Sequence, residues 1–149
     1  MKGGNEMTYI ETLGSNAVKV KKILAVADTG KKNAALAEIS RALIENSDKI
    51  IEANQKDLAA ARENGMSVSM QDRLMLNEDR IKGIASAVDE LIKLEDPIGK
   101  VDNGSVRPNG MRITKIRVPM GVIGMIYESR PNVTADAATL CLKTGNAVI

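Results

Sequence analysis

Residues 119–149, PMGVIGMIYESRPNVTADAATLCLKTGNAVI, carry the pattern that most constrains the fold. Residues 121–126 form a short apolar, β-branched run typical of a buried strand, and residues 147–149 begin a second one. Between them, Pro131 suits a first helical position and Gly145 suits a left-handed helix stop. The apolar residues between these two recur at helical spacing: Val133, Ala137, Leu140 and Cys141. The stretch therefore predicts a βαβ crossover with parallel strands, whose ligand chemistry gathers where strands end and helices begin.

Residues 1–99 have the spacing of a helical segment. Apolar residues three or four apart predict a first helix over about 6–27 and a second one that points Leu36, Ile39 and Leu43 inward. A third helix is predicted over 49–64 with cap chemistry at residues 46–48, and Gly65 stops it. We expect all of these helices to serve packing.

Two further helices are predicted in the same segment. The first covers residues 67–76 and should place Met70, Leu74 and Met75 at the end of the bundle. The second begins after the cap residue Asn77 and carries the clearest apolar stripe in the chain. Its stripe consists of Ile81, Ile84, Ala85, Val88, Leu91 and Ile92.

Residues 100–118 predict a β-hairpin, because two alternating segments flank a Pro-Asn-Gly turn at residues 108–110. The alternation leaves polar and apolar side chains on both faces. Residues 100–130 hold six basic residues against two acidic ones. This excess could attract an anionic substrate or a nucleotide phosphate, or it could simply solvate the hairpin strands that carry Arg112, Lys115 and Arg117.

Composition excludes several classes of function. The chain has no run of basic residues and almost no aromatic residues, which argues against nucleic-acid binding. With no His and one Cys, a zinc site is not expected, and no intramolecular disulfide can form. The single Cys fits a reducing, cytoplasmic location, and we expect no membrane span, because no apolar stretch approaches the ~20 residues that a span needs.

The loop at residues 127–132 is the first candidate site. It leads into a helix N-terminus, where free N–H groups and a partial positive charge can hold a phosphate or an oxyanion. Arg130 adds a charge capable of bidentate contact. The alternative is that Ser129 and Asn132 only cap the helix while Arg130 pairs with Glu128 or Asp136.

Cys141 is the other candidate. It lies between Leu140 and Leu142 on the apolar face of the predicted helix, where a thiol is usually buried and has a raised pKa. The chain has no His to activate it. We therefore predict a structural role for Cys141 and expect no catalytic nucleophile in this chain.

Several motifs give the chain a family resemblance. They are RPNG at residues 107–110, RVP at 117–119, YESRPNVT at 127–134 and LCLKTGNAVI at 140–149, with NQKDLAAAR at 54–62 and DRL at 72–74. These motifs resemble the N-terminal part of γ-glutamyl phosphate reductases, also called glutamate-5-semialdehyde dehydrogenases, in the aldehyde dehydrogenase superfamily. The resemblance runs through nearly the whole chain. It implies an α/β chain made of a helical part (1–99), a β-hairpin that could serve as an oligomerisation arm (100–118) and the truncated start of a Rossmann-like nucleotide-binding βαβ sheet (119–149).

The resemblance also implies an activity. A cysteine thiolate beyond residue 149 attacks the acyl phosphate, phosphate leaves, and NADPH delivers a hydride to the thioester to release glutamate 5-semialdehyde for proline biosynthesis. Tyr127, Glu128, Ser129, Arg130 and Asn132 would border the cofactor and the reacting carbonyl. Either Ser129 or Asn132 would support the oxyanion, and the full-length enzyme would be a homo-oligomer.

Two alternatives remain beside this prediction. One is another acylating aldehyde dehydrogenase. The other is a non-catalytic helical interaction module that keeps the front end of an enzyme.

Overall fold

The computed structural model describes residues 8–128 and 130–149. Its helices are α1 (Tyr9–Ala25), α2 (Thr29–Glu45), α3 (Ser47–Glu63), α4 (Val68–Leu74), α5 (Glu78–Lys93) and α6 (Pro131–Lys143). Its strands are β1 (Val101–Val106), β2 (Arg112–Ile116), β3 (Val122–Ile123) and β4 (Ala147–Val148). This helix-rich arrangement with two small sheets agrees with the predicted order of helical segment, hairpin and strand–helix–strand unit.

Side-chain caps determine where most of the first five helices begin. At α1, Thr8 and Glu11 form a reciprocal capping box, in which the Thr8 amide donates to the Glu11 carboxylate at 2.7 Å. Single side chains cap three other helices: Asp28 at α2, Ser67 at α4 and Asn77 at α5. Asn46 precedes α3 but does not cap it, because its side-chain amide donates to the Ala42 carbonyl at 2.8 Å. α3 therefore follows α2 after one residue and begins earlier than predicted.

The apolar core lies between α2 and α5. Leu36 of α2 packs against Val88 and Leu91 of α5, and all three side chains are buried. The buried residues of α5 recur at three- and four-residue spacing, so they share one face of the helix. This confirms the stripe predicted for α5. Met70 does not fill the end of the bundle as predicted, because it lines an open pocket and is 50% exposed.

Buried polar contacts attach α6 to the helices. The Lys143 ammonium is buried and donates to the Asn33 side chain at 2.8 Å and to the Ile92 carbonyl at 3.1 Å. Nearby in sequence, the buried Lys32 ammonium lies 2.5 Å from an Asp96 carboxylate oxygen. A buried ammonium is tolerated only where acceptors surround it, so the Lys143 contacts hold α6 against α2 and α5, and the Lys32–Asp96 pair holds α2 against the segment after α5.

The predicted hairpin is confirmed. β1 and β2 pair antiparallel with one irregularity between Val101 and Asn103, and Gly110 takes a positive φ of 85° in the turn. Every residue of both strands is exposed, so neither face of the hairpin is buried in the described residues. An ion pair between Arg117 and Asp102, 2.7 Å apart, accounts for one of the basic residues in this region.

The predicted crossover is also confirmed, with shorter strands. β3 and β4 pair parallel, and α6 connects them. Gly145 has a φ of 68°, as expected for a left-handed stop. Leu140 was predicted to face inward, but it is 53% exposed. The predicted Ala137 and Cys141 are buried, and the buried side of α6 also carries Thr139, whose hydroxyl donates to the Ala135 carbonyl of the same helix, and Lys143.

Within the part of the chain that the structure describes, no helix is long and apolar enough to cross a membrane.

Candidate functional site

The loop between β3 and α6 contains the residues predicted as a site. Tyr127, Glu128, Arg130 and Asn132 are described, whereas Ser129 lies outside the described residues. The Tyr127 hydroxyl lies 2.6 Å from the Thr134 hydroxyl, one turn into α6, so the loop is fastened to the helix that it enters. The four described side chains therefore surround a single helix N-terminus.

Arg130 keeps most of its hydrogen-bonding capacity. Its guanidinium Nη2 lies 3.8 Å from the Glu128 Oε2, longer than the ~2.7–2.9 Å of a charge-assisted hydrogen bond. Both side chains are well exposed, and exposed pairs of this kind contribute only about 0–1 kcal/mol. The predicted alternative, a pairing with Glu128, exists in this loose form. The N–H donors of the Arg130 guanidinium group therefore remain able to contact an anion.

Among the described residues, no side chain caps the N-terminus of α6. Arg130 occupies the cap position without such a hydrogen bond, and Asn132 donates to Asp136 at 3.5 Å instead of capping. Asn132 therefore does not play the capping role that the alternative gave it. The first turn of α6 carries no acidic residue, so the positive end of the helix dipole faces the loop that contains Glu128 and Arg130.

Three open pockets surround the loop and show what faces it. One of about 760 Å³ lies between α3 and the loop and reaches Tyr127, Arg130 and Thr134. A second, of about 370 Å³, lies between the start of α6 and α5 and reaches Asn132 and Arg80. A third, of about 300 Å³, separates the loop from α4. The loop and the start of α6 therefore form one wall of each pocket, and helices α3, α4 and α5 form the other walls.

The pockets reveal cationic residues that the sequence patterns did not single out. Arg73 of α4 lines the two smaller pockets, and Arg80 of α5 lines one of them. Arg80 is held in place, because it lies 2.9 Å from the Asp72 carboxylate and donates to the Met75 carbonyl at 2.8 Å. Arg73 is exposed and has no ion-pair partner among residues 8–128 and 130–149. The only signal for Arg73 was its place in the DRL motif of the family resemblance.

Cys141 lies on the buried side of α6. Its side chain is 4% exposed, and burial raises the pKa of its thiol. Both observations agree with the predicted structural environment, because a reactive thiol needs a depressed pKa and access to substrate. Among the described residues no group of three His, Cys, Asp or Glu could hold a metal ion.

A parallel strand–helix–strand unit, with a donor-rich loop entering its helix and helices walling the loop, is the kind of site at which α/β enzymes bind nucleotides and substrates. Two solved structures share the arrangement. The crystal structure of gamma-glutamyl phosphate reductase from Thermotoga maritima matches 95% of this chain with a TM-score of 0.92 at 41% identity. The one from Saccharomyces cerevisiae matches 96% with a TM-score of 0.91 at 34% identity.

The sequence relatives carry the same name. Gamma-glutamyl phosphate reductase of Caldanaerobacter subterraneus subsp. tengcongensis is 52% identical over 140 residues, 94% of this chain. No protein-family model matches the sequence. The chain spans about a third of the length of the relatives that it matches, 34% in this case. It is therefore homologous to the N-terminal third of gamma-glutamyl phosphate reductases, which confirms the resemblance.

Proposed function

We propose that this chain forms the N-terminal portion of an NADPH-dependent γ-glutamyl phosphate reductase, which makes glutamate 5-semialdehyde and phosphate in proline biosynthesis. The observation that carries the proposal is the uncapped α6 N-terminus beside Arg130, in a chain 52% identical to a protein of that name. We propose with it the finer assignments that the resemblance implies: an acyl phosphate substrate, a Rossmann-like continuation of the β3–β4 sheet, a cytoplasmic location and a homo-oligomer. The hairpin, exposed on both faces, is the element that would serve as the oligomerisation arm.

The loop residues fit the nicotinamide end of the cofactor and the reacting carbonyl. When bound, the cofactor supplies the hydride that reduces the acyl group. Tyr127, Glu128, Ser129, Arg130 and Asn132 would form the wall against it. The pocket of about 760 Å³ beside Tyr127 and Arg130 has room for an aromatic ring and its substrate, and the uncapped helix end offers donors.

The catalytic contribution of this chain is electrostatic. Donors at the start of α6 would stabilise the negative charge that develops on the carbonyl oxygen, with Ser129 or Asn132 adding a side-chain donor. Asn132 is suited to this because its weak contact with Asp136, at 3.5 Å, leaves its amide able to turn toward a substrate. Arg130 would orient the anionic substrate, and the nucleophile would come from residues outside this chain.

The activity can be tested in the reverse direction. The full-length protein that carries this chain, given glutamate 5-semialdehyde, phosphate and NADP, should produce reduced nicotinamide, and NAD should serve poorly. The 149-residue chain alone should produce none, because no thiol in it can reach a substrate. Cys141→Ala in the full-length protein is the control: turnover should stay close to wild type.

The outcomes separate the alternatives. Turnover of other aldehydes but not of glutamate 5-semialdehyde would point to another acylating aldehyde dehydrogenase. A gene whose reading frame stops near residue 149 and a product without turnover would favour a helical interaction module. Loss of turnover in a folded Cys141→Ala protein would make Cys141 the nucleophile and contradict its structural assignment.

A further inference from the structure

The pocket of about 300 Å³ between the loop and α4 has a composition that the cofactor does not explain. We call it the Arg73 pocket; it is lined by Met66, Met70, Arg73, Leu74, Glu128 and Arg130. Two arginines and one glutamate line it together with two methionines and a leucine, which form its apolar side. Its volume lies at the low end of the ~300–1,000 Å³ range of ligand sites, which suits one small molecule and not a dinucleotide.

We infer that the Arg73 pocket binds the amino-acid end of the substrate, with Arg73 and Arg130 holding the α-carboxylate and Glu128 holding the α-ammonium. This inference rests on the proposed function and adds to it the residues that select an α-amino acid. It also divides the loop: Tyr127 and Asn132 border the reacting end, Glu128 borders the recognition end, and Arg130 lines the pockets on both sides.

The charges favour a zwitterion over a phosphate. A phosphate dianion would gain from the two arginines but would be repelled by the Glu128 carboxylate beside Arg130. An α-amino acid head group presents a carboxylate and an ammonium on the same carbon atom, so it can satisfy all three charged groups at once. The looseness of the 3.8 Å pair between Arg130 and Glu128 leaves each of them able to turn to its own ligand group.

The apolar side of the pocket matches the aliphatic part of the substrate. Between the head group and the reacting carbonyl, a γ-glutamyl substrate has two methylene groups, and Met66, Met70 and Leu74 offer them apolar contact. This gives the half-exposed Met70 a role that packing did not supply. Unbranched methionine side chains adapt readily to a flexible aliphatic chain.

The backbone that carries Arg73 is held on both sides. The buried Asn54 side chain donates to the Leu74 carbonyl at 2.8 Å and accepts from the Leu76 amide at 2.7 Å. On the other side, Arg80 contacts the Asp72 carboxylate at 2.9 Å. Arg73 itself pairs with no acidic side chain of the described chain. A fixed backbone with an unpaired cation is the arrangement expected of a group that waits for a ligand.

Three aldehydes test the inference in the full-length protein, assayed with phosphate and NADP. Glutamate 5-semialdehyde carries the ammonium and the carboxylate, 5-oxopentanoate lacks the ammonium, and pentanal lacks both. Arg73→Gln should lower kcat/KM for the two carboxylate-bearing aldehydes by at least about tenfold and leave pentanal within about twofold. Glu128→Gln should lower kcat/KM for glutamate 5-semialdehyde by about tenfold relative to 5-oxopentanoate.

Two further variants complete the design. Arg41→Gln removes a similarly exposed arginine, which pairs with Glu38 and Glu45 on α2, and should leave all three values unchanged. Arg73→Lys keeps the charge and should recover part of the lost discrimination. KM for NADP should not change in the variants at Arg73 and Arg41, which lie outside the proposed cofactor wall.

The results distinguish this inference from the proposed function. A wild-type protein without turnover of glutamate 5-semialdehyde would contradict both the proposed function and this inference. An active wild type whose Arg73→Gln and Glu128→Gln variants keep the wild-type ratios among the three aldehydes would overturn only the inference. So would an equal loss on pentanal, or a change confined to KM for phosphate or NADP.

Discussion

Asp96 is the residue whose charge matters most to the helical part, because it faces a buried lysine. Burial raises the pKa of Asp96. Hydrogen bonds from the Lys32 ammonium, the Ile98 amide and the Thr29 hydroxyl together lower it by more, so the pKa of Asp96 lies below its ordinary value. A carboxyl group with a depressed folded-state pKa stabilises the fold above its unfolded pKa, about 3.9. That contribution is lost as the pH falls through the lower, folded value.

We therefore predict that Asp96→Asn destabilises the full-length protein by about 3–5 kcal/mol at pH 7, since it leaves the Lys32 ammonium buried without a countercharge. The loss relative to wild type should begin to shrink below the unfolded pKa of about 3.9 and should vanish only below the depressed pKa of the folded carboxyl group. Urea unfolding at pH 7 and at a series of pH values below about 3.9 measures both effects. Glu52→Gln, which breaks the exposed pair with Lys56, should change the free energy of unfolding by less than about 1 kcal/mol. Equal effects of the two substitutions would contradict the prediction.

At the scale of helices and strands, local sequence patterns predicted most of the elements. The features that they missed depend on contacts between residues far apart in sequence. The α5 stripe, the Asn77 cap, the hairpin turn and the crossover follow from residues close in sequence, and the structure confirms them. The contact between Lys143 and Asn33 joins residues 110 positions apart, which periodicity cannot reveal. The apolar spacing placed Ala137 and Cys141 on the buried side of α6 correctly, but it also placed Leu140 there, which is exposed.

The candidate site divides in the same way. The loop was predictable because a strand followed by Pro131 marks a helix N-terminus. Arg73 was not, because its position beside Arg130 depends on how α4 packs against the loop. The roles of the loop residues and the division at residues 99 and 118 stay predictions.

The end of α6 provides a test at this scale. Gly145→Ala should destabilise the protein by about 1–2 kcal/mol from the left-handed backbone alone, since its φ is 68°. The added Cβ would also lie 3.1 Å from both the Leu24 carbonyl oxygen and Pro119 Cγ, so the cost should exceed that range. Gly14→Ala is the matched control, because it is helical with nothing within 4 Å, and it should stabilise by about 1 kcal/mol. Urea unfolding measures both, and a neutral Gly145→Ala would refute the helix stop.

Over the whole molecule, the chain exposes more apolar surface than a stable monomer usually does. An open apolar groove of about 340 Å³ runs between α1 and the α6–β4 region. Large side chains on α1, on the segment after β3 and on α6 are also exposed: Tyr9, Ile10, Ile23, Val26, Ile126 and Leu140. Because the homologous proteins are about three times as long, we propose that their remaining residues cover these surfaces.

We therefore predict that the 149-residue chain, expressed alone, binds a hydrophobic dye and self-associates at micromolar concentration, whereas the full-length protein does neither. Sedimentation and dye fluorescence measure the two properties. Replacing Ile126 and Leu140 together by Lys should lower dye binding by the isolated chain, because both side chains are exposed and the charges repel one another at the new surface. The double replacement of Glu52 and Lys56 by Gln, on the polar surface of α3, should leave dye binding unchanged. A monomeric chain that melts sharply and binds no dye would show that these surfaces need no cover, and the proposal that downstream residues complete the fold would fail.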